Sequence, residues 1–378
     1  MLEDIHTSSR IEALRFPLIL GVVFIHNASV LHVADRPFDV QNTHIAWVDF
    51  IVYLSQCVVG ISAPIFFAIS GYLFFKSEWS WGRYIEKLKR RFHTLLIPFL
   101  FWSLATLIVL AVAECIPQTR MNFADQTWPQ IRSLSILGTV NILFGTFDYY
   151  PLLHPFWFLR DLMVLVVFAP AIHFVFCRKW GTIFLIAIFL LLFASPLPTV
   201  GWPILWPGSI STCYFSLGAY FSQREKGVAL MDKIGPAAGL IFFVGVILNF
   251  VFPGNCSHLL AGIIIVFAAP GLWRLIGIYV QSTGAVNFLA GLSGDAFFVY
   301  AIHQPLLVIT RKIVYRLLPP AGGAAILAQY FLLPFCLVAL LVVLNRLLLK
   351  IMPAFMGFIT GNSYRPHLQR AAKSPAEA

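Results

Sequence analysis

An arginine and a histidine, Arg15 and His26, lie eleven residues apart in the first long apolar stretch of the chain. In an α-helix, eleven residues rise about 16 Å and complete about three turns, so the two side chains share one face. Ionisable side chains are costly in hydrocarbon and usually serve pairing, transport or chemistry there. Because a neutral imidazole can accept a proton from a hydroxyl near pH 7, the pair could hold a long anionic molecule at one end and act on its other end.

Both residues also have structural interpretations. Glu12 lies three residues before Arg15 and could pair with it, and an arginine near the membrane surface often only reaches toward lipid headgroups. His26 could be a packing histidine that is hydrogen-bonded to Asn27 or Ser29. Taken alone, the spacing is therefore a weak indication of catalysis.

A basic segment, KSEWSWGRYIEKLKRR, follows the second apolar stretch. Its aromatic residues suit a helix that lies at the membrane surface. Lys87, Arg90 and Arg91 could instead bind the phosphates of a cytoplasmic cofactor, because guanidinium groups present several coplanar donors. The residues alone support both interpretations.

The loop before the fourth apolar stretch carries an aromatic group and an adjacent ion pair. Tyr149, Tyr150 and Trp157 could form a stacking platform for a sugar ring or an ordinary aromatic belt at the interface. Arg160 and Asp161 lie just inside the stretch, where two charges need partners within the protein. We predict that this pair has a role in the site, where it would position the acceptor or orient His26.

A second histidine in an apolar stretch, His303, lies within the sequence VYAIHQPLL. Pro305 cannot donate a backbone hydrogen bond and should open the helix near the histidine. His303 is therefore a candidate substrate-binding residue, although a structural hydrogen bond to a neighbouring helix explains it equally well.

The elements that position these residues are predicted to be membrane helices. Of 378 residues, 59% are hydrophobic and 11% are charged, and the mean hydropathy is +0.83. Soluble domains carry about 25% charged residues. We predict an all-α integral membrane protein, a bundle of about ten transmembrane helices. The predicted spans are 16–33, 46–75, 93–115, 155–177, 181–195, 208–222, 236–252, 257–273, 287–310 and 325–350.

The basic residues and the cysteines argue against a nucleic-acid partner and a metal site. Most of the net charge of +10 falls in loops that share one side of the membrane if both termini are cytoplasmic, in keeping with the positive-inside rule. Arg311, Lys312 and Arg316 break this pattern. Orientation and anionic headgroups explain the charge, so we expect no nucleic-acid partner. The six cysteines are scattered without metal-ligand spacing, so we predict no metal site.

Taken in order, these segments resemble the acyltransferase 3 family of multi-pass membrane O-acyltransferases. The resemblance rests on R-x10-H in the first span, PIFFAISGYLFF in the second, the basic segment before PF, then WFL and later VYAIHQPLL. It extends over about residues 8–350, so we predict an acyltransferase domain over 1–352 and a polar cytoplasmic tail over 353–378. HPFWFLRDL is most similar to the branch that modifies exopolysaccharides and surface polysaccharides.

The resemblance implies that Arg15 and His26 are essential for acyl transfer. It also implies that the basic segment contacts the donor, acetyl-CoA or a close relative. Many family members carry two arginines three residues apart in this segment, where this chain has Lys87 and Arg90. We expect donor contacts from Arg15, Lys87, Arg90 and Arg91.

The expected protein is an O-acetyltransferase that spans the cell (inner or plasma) membrane several times. It would move an acetyl group from cytoplasmic acetyl-CoA to a hydroxyl of a cell-surface glycan or a lipid-linked sugar, with no permanently bound cofactor. The expected acceptor-binding residues are Tyr149, Tyr150, Trp157, Arg160, Asp161 and His303.

Two alternatives remain beside this expectation. A succinyltransferase of the same fold would need an additional cation near His26. A transporter or flippase for a lipid-linked or anionic solute would also use buried charges and interrupted helices, but it would need no acyl donor.

Overall fold

The computed structural model describes residues 2–27, 45–117, 130–146, 150–194, 208–224, 227–251, 257–280 and 283–361. Within these ranges all regular secondary structure is helical, as the composition predicts. A π-helical turn, Phe92–Leu96, connects two of the α-helices, and two short 3-10 turns span Ile131–Ser133 and His154–Phe156.

The α-helices are numbered here in chain order over the described residues. They are α1 Leu2–Asn27, α2 Ala46–Gly60, α3 Ser62–Phe75, α4 Trp81–Arg91, α5 Ile97–Cys115, α6 Ile136–Phe144, α7 Trp157–Val167, α8 Ala169–Phe176, α9 Gly181–Ala194, α10 Ser209–Ser222, α11 Gly227–Val251, α12 Ser257–Val280, α13 Thr283–Ser293, α14 Ala296–Leu317, α15 Gly323–Ile351 and α16 Pro353–Ile359.

Local hydrogen bonds explain where several of these helices begin and end. The Ser80 hydroxyl accepts a hydrogen bond from the Arg83 amide at 3.3 Å, which caps the start of α4. The Ser135 hydroxyl does the same for α6 by accepting from the Gly138 amide at 3.1 Å. Helix α6 ends at Gly145, whose φ of 62° is the left-handed conformation that favours glycine. The chain then turns into the loop that leads to α7.

Five helical segments of the described chain are long and apolar enough to cross a membrane. They are Ala46–Phe75, Trp81–Cys115, Val228–Val251, Ala296–Leu317 and Gly323–Ile351. Helices α7 and α8 would form a sixth span, although they are bent by 70° relative to each other. Two further apolar segments, Gly181–Leu190 and Val266–Tyr279, lie within α9 and α12, and the prediction of about ten spans is not confirmed over the described residues. The sidedness of the termini stays a prediction.

Helix α1 occupies the centre of the bundle and packs against α2, α3, α12, α13, α14 and α15. Its Ala13 and Val23 side chains are fully buried. Near its start, Arg10 donates to both carboxylate oxygens of Asp232 at 2.8 Å and lies 5.2 Å from the ring centre of Trp273. These contacts fix the rotation of α1 and with it the face that carries Arg15 and His26.

Helices α3 and α10 approach each other closely through two glycines. A Cβ atom added at Gly71 would lie 2.1 Å from the Phe215 carbonyl oxygen, and one at Gly218 would lie 2.0 Å from the Ala68 carbonyl oxygen. Only residues without a side chain allow the two backbones to meet at this distance.

The first part of the predicted C-terminal tail is packed against the bundle. Helix α16 buries Met356 and Ile359. The indole N–H of Trp102 on α5 donates to the Ile359 carbonyl oxygen at 2.9 Å. The remainder of the predicted tail, 362–378, lies outside the described residues.

Candidate active site

A cavity of about 380 Å³ runs along the face of α1 that carries both residues of the R-x10-H pattern. Helices α3, α7, α13 and α14, the π-helical turn and the loop before α7 complete its wall. Most of the wall is apolar. Its polar and aromatic members include Arg15, His26, Tyr150, His154, Trp157, Ser293 and Tyr300. Because eleven helical residues rise about 16 Å, the cavity is long enough for an extended chain of atoms between the arginine and the histidine.

Positive charge gathers at the arginine end of this cavity. Arg91, the last residue of α4, lies close enough to Arg15 for their charges to interact. Arg90 beside it is exposed, and Arg15 is the one of these three arginines that lines the cavity. Two neighbouring guanidinium groups raise the local positive potential and suit a phosphate-bearing ligand.

Lys87, the third predicted donor contact of the basic segment, is engaged within the protein. Its ammonium donates to the Phe74 carbonyl oxygen at the end of α3 and to the Ser77 hydroxyl, the latter at 2.6 Å. It also lies 5.0 Å from the Phe74 ring centre. The structure thus places Lys87 at the junction of α3 and α4, and it is not among the residues that line the cavity.

The π-helical turn brings a further wall residue, Leu95, to the cavity. Pro98 has no N–H with which to continue the regular helical pattern, and the Ile97 amide bonds instead to the Phe92 carbonyl oxygen five residues earlier. Such turns are rare and often occur at functional sites. Here the turn joins α4, which carries Arg91, to the membrane helix α5.

Three histidines meet at the opposite end of the cavity. The ring centre of His26 lies 5.2 Å from that of His154, edge to face, and 5.3 Å from that of His303. His26 and His154 line the cavity, whereas His303 is fully buried behind them. Sequence reasoning predicted the first and the third but missed His154. The available signal was its place in HPFWFL, three residues before the predicted Trp157.

His303 is held by its own helix. Its Nδ1 lies 2.8 Å from the Tyr300 carbonyl oxygen and 3.2 Å from that of Val299. Its Nε2 is buried and has no hydrogen-bond partner in the part of the chain that the structure describes. The same helix positions His154, because the Tyr300 hydroxyl donates to the Pro155 carbonyl oxygen at 2.5 Å.

Two of the three predicted aromatic residues line the cavity near the histidines. The Tyr150 ring stacks on His154 with ring centres 3.8 Å apart. Burial raises the pKa of the Tyr150 phenol, and the positive charge of Arg160 acts in the opposite direction. Trp157 is the first residue of α7, and its ring centre lies 5.9 Å from that of Phe67. The third, Tyr149, lies outside the described residues.

Arg160 and Asp161 are buried but do not line the cavity. Arg160 donates twice to one Asp161 oxygen, at 2.8 and 3.0 Å, and reaches the Gly145 carbonyl oxygen at 3.1 Å. The other Asp161 oxygen accepts from the Gly208 amide at 2.9 Å and from the Ser211 hydroxyl at 2.5 Å. The pair therefore joins α7 to the end of α6 and the start of α10, and its role in acceptor binding stays a prediction.

Comparison with known proteins agrees with this architecture. The model of the acyltransferase 3 family, described as an acyltransferase domain, matches residues 8–349. The chain belongs to the acyltransferase 3 family. It is also 28% identical over 395 residues to the succinoglycan biosynthesis protein ExoH of Rhizobium meliloti (strain 1021), across 99% of this chain and 97% of that protein. No solved structure matches it significantly.

The family and the apolar helices together identify a membrane acyltransferase. The resemblance that the motifs indicate is confirmed over nearly the whole chain.

Proposed function

We propose that this acyltransferase moves an acetyl group from cytoplasmic acetyl-CoA to a sugar hydroxyl of a polysaccharide or its lipid-linked precursor. The observation that carries the proposal is that one cavity has Arg15 at one end and His26 at the other. The groups of a CoA thioester follow the same order, with phosphates at one end and the reactive carbonyl at the other.

The donor would lie along the face of α1. Its phosphates would bind Arg15 and Arg91, with the exposed Arg90 as an outer contact, because charge-assisted bonds to guanidinium groups are among the strongest that proteins make. The apolar wall between the two ends would accommodate the extended pantetheine arm. The thioester would then lie beside the histidines, away from bulk water.

His26 would act as the general base. It would take the proton from the acceptor hydroxyl while the oxygen attacks the thioester carbonyl carbon. Collapse of the tetrahedral intermediate breaks the C–S bond, and the thiolate of CoA receives the proton from the imidazolium. The products are the sugar ester and free CoA, and His26 returns to its starting form.

The acceptor would enter past the stacked pair of Tyr150 and His154, with Trp157 as a further contact. Aromatic faces suit the apolar faces of sugar rings, and the His154 ring offers a polar edge to a hydroxyl. The similarity to a succinoglycan biosynthesis protein supports an extracellular polysaccharide as the acceptor class.

The cavity favours acetyl over succinyl as the transferred group. Among the described residues that line it, Arg15 is the one side chain with a permanent positive charge. It lies about 16 Å along α1 from His26, too far to meet the carboxylate of a succinyl group at the reacting end. A parallel assay with succinyl-CoA tests this point, and preference for succinyl-CoA would overturn the choice of acyl group alone.

Use of a cytoplasmic donor supports a location in the cell (inner or plasma) membrane. The basic helix α4, next to Arg15, would then face the cytoplasm together with the N-terminal end of α1.

The decisive experiment measures release of free CoA from acetyl-CoA by purified protein in nanodiscs, with and without polysaccharide acceptor. Wild type should release CoA, and His26→Ala should not, although it should still bind acetyl-CoA in a thermal-shift assay. His173→Ala is the matched control, since this partly exposed histidine stacks on Trp79 outside the cavity. Full activity of folded His26→Ala protein would contradict the mechanism.

A further inference from the structure

We propose that His303 is a positioning residue that accepts a hydrogen bond from His26 during acyl transfer and so selects the His26 tautomer that acts as the base. This inference rests on the proposed function, in which His26 takes the acceptor proton. It concerns an interaction between two histidines that the chain separates by 277 positions.

The hydrogen bonds of His303 determine where its proton lies. Carbonyl oxygens only accept, so the nitrogen that faces the carbonyl groups of Tyr300 and Val299 must carry the hydrogen. A second proton would put a charge into a fully buried site next to another histidine, which is strongly unfavourable. His303 is therefore the Nδ1–H tautomer, and its Nε2 presents a lone pair.

That lone pair lacks a partner within the described residues, and its atom is buried. A buried acceptor without a hydrogen bond is destabilising, so such an atom indicates an interaction that forms in another state. The His26 ring lies 5.3 Å away, centre to centre, with 44° between the ring planes. A hydrogen bond of about 3 Å between two imidazole nitrogens also puts their ring centres about 5 Å apart.

A small rotation of His26 would complete this bond. Hydrogen bonds of catalytic groups are often long or poorly aligned in unliganded enzymes and tighten when substrate is bound. With one His26 nitrogen donating to His303, the other must carry the lone pair and can face the acceptor hydroxyl in the cavity. When His26 becomes an imidazolium, Nε2 of His303 still accepts its hydrogen bond. This stabilises the imidazolium without adding a negative charge to the apolar core.

The arrangement divides the two histidines that contact His26 into different roles. His154 lines the cavity and can contact a substrate, whereas His303 is fully buried and can act only through His26. For this reason we expect substitution of His303 to lower kcat while leaving the KM for acetyl-CoA unchanged.

Two amide substitutions separate positioning from a purely structural role. In His303→Gln the side-chain carbonyl oxygen reaches the place of Nε2, so an acceptor for His26 remains. In His303→Asn the amide takes the place of Nδ1, so the bond to the Tyr300 carbonyl oxygen remains but the acceptor is lost. His303→Leu removes both, and His173→Leu is the control for loss of a histidine outside the cavity.

We expect kcat to fall about 100-fold in His303→Asn and His303→Leu, and less than about tenfold in His303→Gln, since positioned proton transfer contributes on the order of 10²–10⁴ in rate. Normal kcat in His303→Asn, or no advantage of Gln over Leu, would overturn the proposal. A wild-type protein that transfers no acyl group would instead contradict the proposed function.

A second measurement decides the matter if the variants do not fold. In wild-type protein labelled with ¹⁵N-histidine, the His26 signals can be identified by their loss in His26→Gln. With bound CoA and acceptor, His26 should be one neutral tautomer. A mixture of the two tautomers would show that nothing selects between them.

Discussion

The two groups of buried polar residues near the start of α7 differ in how well their hydrogen bonds are satisfied. In the Arg160–Asp161 pair, both carboxylate oxygens are paired, and the guanidinium bonds both to the carboxylate and to a backbone carbonyl. In the histidine cluster, Nδ1 of His154 and Nε2 of His303 have no partner within the described chain. A buried polar group that is fully paired holds a structure together, whereas one left without a partner is available to a ligand.

This difference explains why charge alone did not identify the site. Arg160 and Asp161 are the more conspicuous residues in the sequence, because two charges in an apolar stretch are rare. Their partners Gly145, Gly208 and Ser211 come from two other segments, the end of α6 and the start of α10, and bond to the guanidinium and to the second carboxylate oxygen. The histidines are less conspicuous, yet two of them, His26 and His154, line the cavity.

The largest expected effect is on catalysis through His26. His26→Gln should lower the rate of acyl transfer about 10³-fold, because it removes the proton acceptor, and should leave the thermal midpoint of unfolding unchanged. Adding His303→Leu to this variant should lower the rate no further, since a positioning residue has no effect once its target is absent. Steady-state kinetics of the two single variants and the double variant check this. Additive losses would mean that His303 acts independently of His26.

The next effect is on stability through Asp161. Asp161→Ala should lower the free energy of unfolding by about 3–5 kcal/mol, because it leaves the Arg160 guanidinium buried without its carboxylate. Thermal unfolding in detergent measures the change. Glu78→Ala is the control, because its carboxylate is 92% exposed and lies 3.5 Å from Arg83. Such a surface pair contributes at most about 1 kcal/mol. Equal losses of unfolding free energy in the two variants would mean that the buried Arg160–Asp161 pair stabilises the protein no more than the surface pair does.

Donor affinity should respond to Arg91. Arg91→Ala should weaken acetyl-CoA binding about 10- to 100-fold, the loss of one charge-assisted hydrogen bond of about 1.5–3 kcal/mol, with little change in kcat. Arg83→Ala, on the exposed part of the same helix, should bind acetyl-CoA normally. Isothermal titration at two salt concentrations measures both affinities. A normal affinity in Arg91→Ala would mean that the phosphates bind elsewhere.

The smallest expected effect concerns the acceptor. His154→Phe keeps an aromatic ring to stack on Tyr150 but removes the polar edge. It should raise the KM for the polysaccharide acceptor up to about tenfold, the value of one neutral hydrogen bond, while acetyl-CoA binding stays unchanged. Initial rates over a range of acceptor concentrations test this. A change in acetyl-CoA binding instead would mean that His154 contacts the donor and not the polysaccharide acceptor.

The family and the helical class could be predicted from the chain because both depend on local patterns. Apolar stretches, the R-x10-H spacing and the order of short motifs led to an all-α membrane acyltransferase. The helices of the described residues confirm the class, and the family match confirms the family. The shape of a span could not be predicted in the same way. Helices α7 and α8 form one apolar stretch in the sequence, but the structure bends them by 70° relative to each other. The composition of the stretch does not indicate such a bend.

The candidate site was predictable in part for the same reason. Arg15 and His26 share one helix, so helical periodicity alone places both on one face. His154 was missed because its place depends on its contact with His26 of α1 and on the bond from Tyr300 of α14 to the neighbouring Pro155, which the local sequence does not encode. Lys87 and Arg91 look equivalent in the basic segment, but Lys87 donates to the Phe74 carbonyl oxygen at the end of α3, while Arg91 approaches Arg15.

The sequence by itself determined the membrane environment, the helical class, the family and the alignment of Arg15 with His26, because each follows from composition or from spacing within one segment. Only the tertiary structure decided which polar residues remain available for chemistry. Whether a buried group is satisfied depends on partners from distant segments, as when His26 meets His154 and His303, or when Asp161 meets Gly208. Such pairing is a property of the packed bundle, since each bond requires atoms that only the fold brings within about 3 Å of each other.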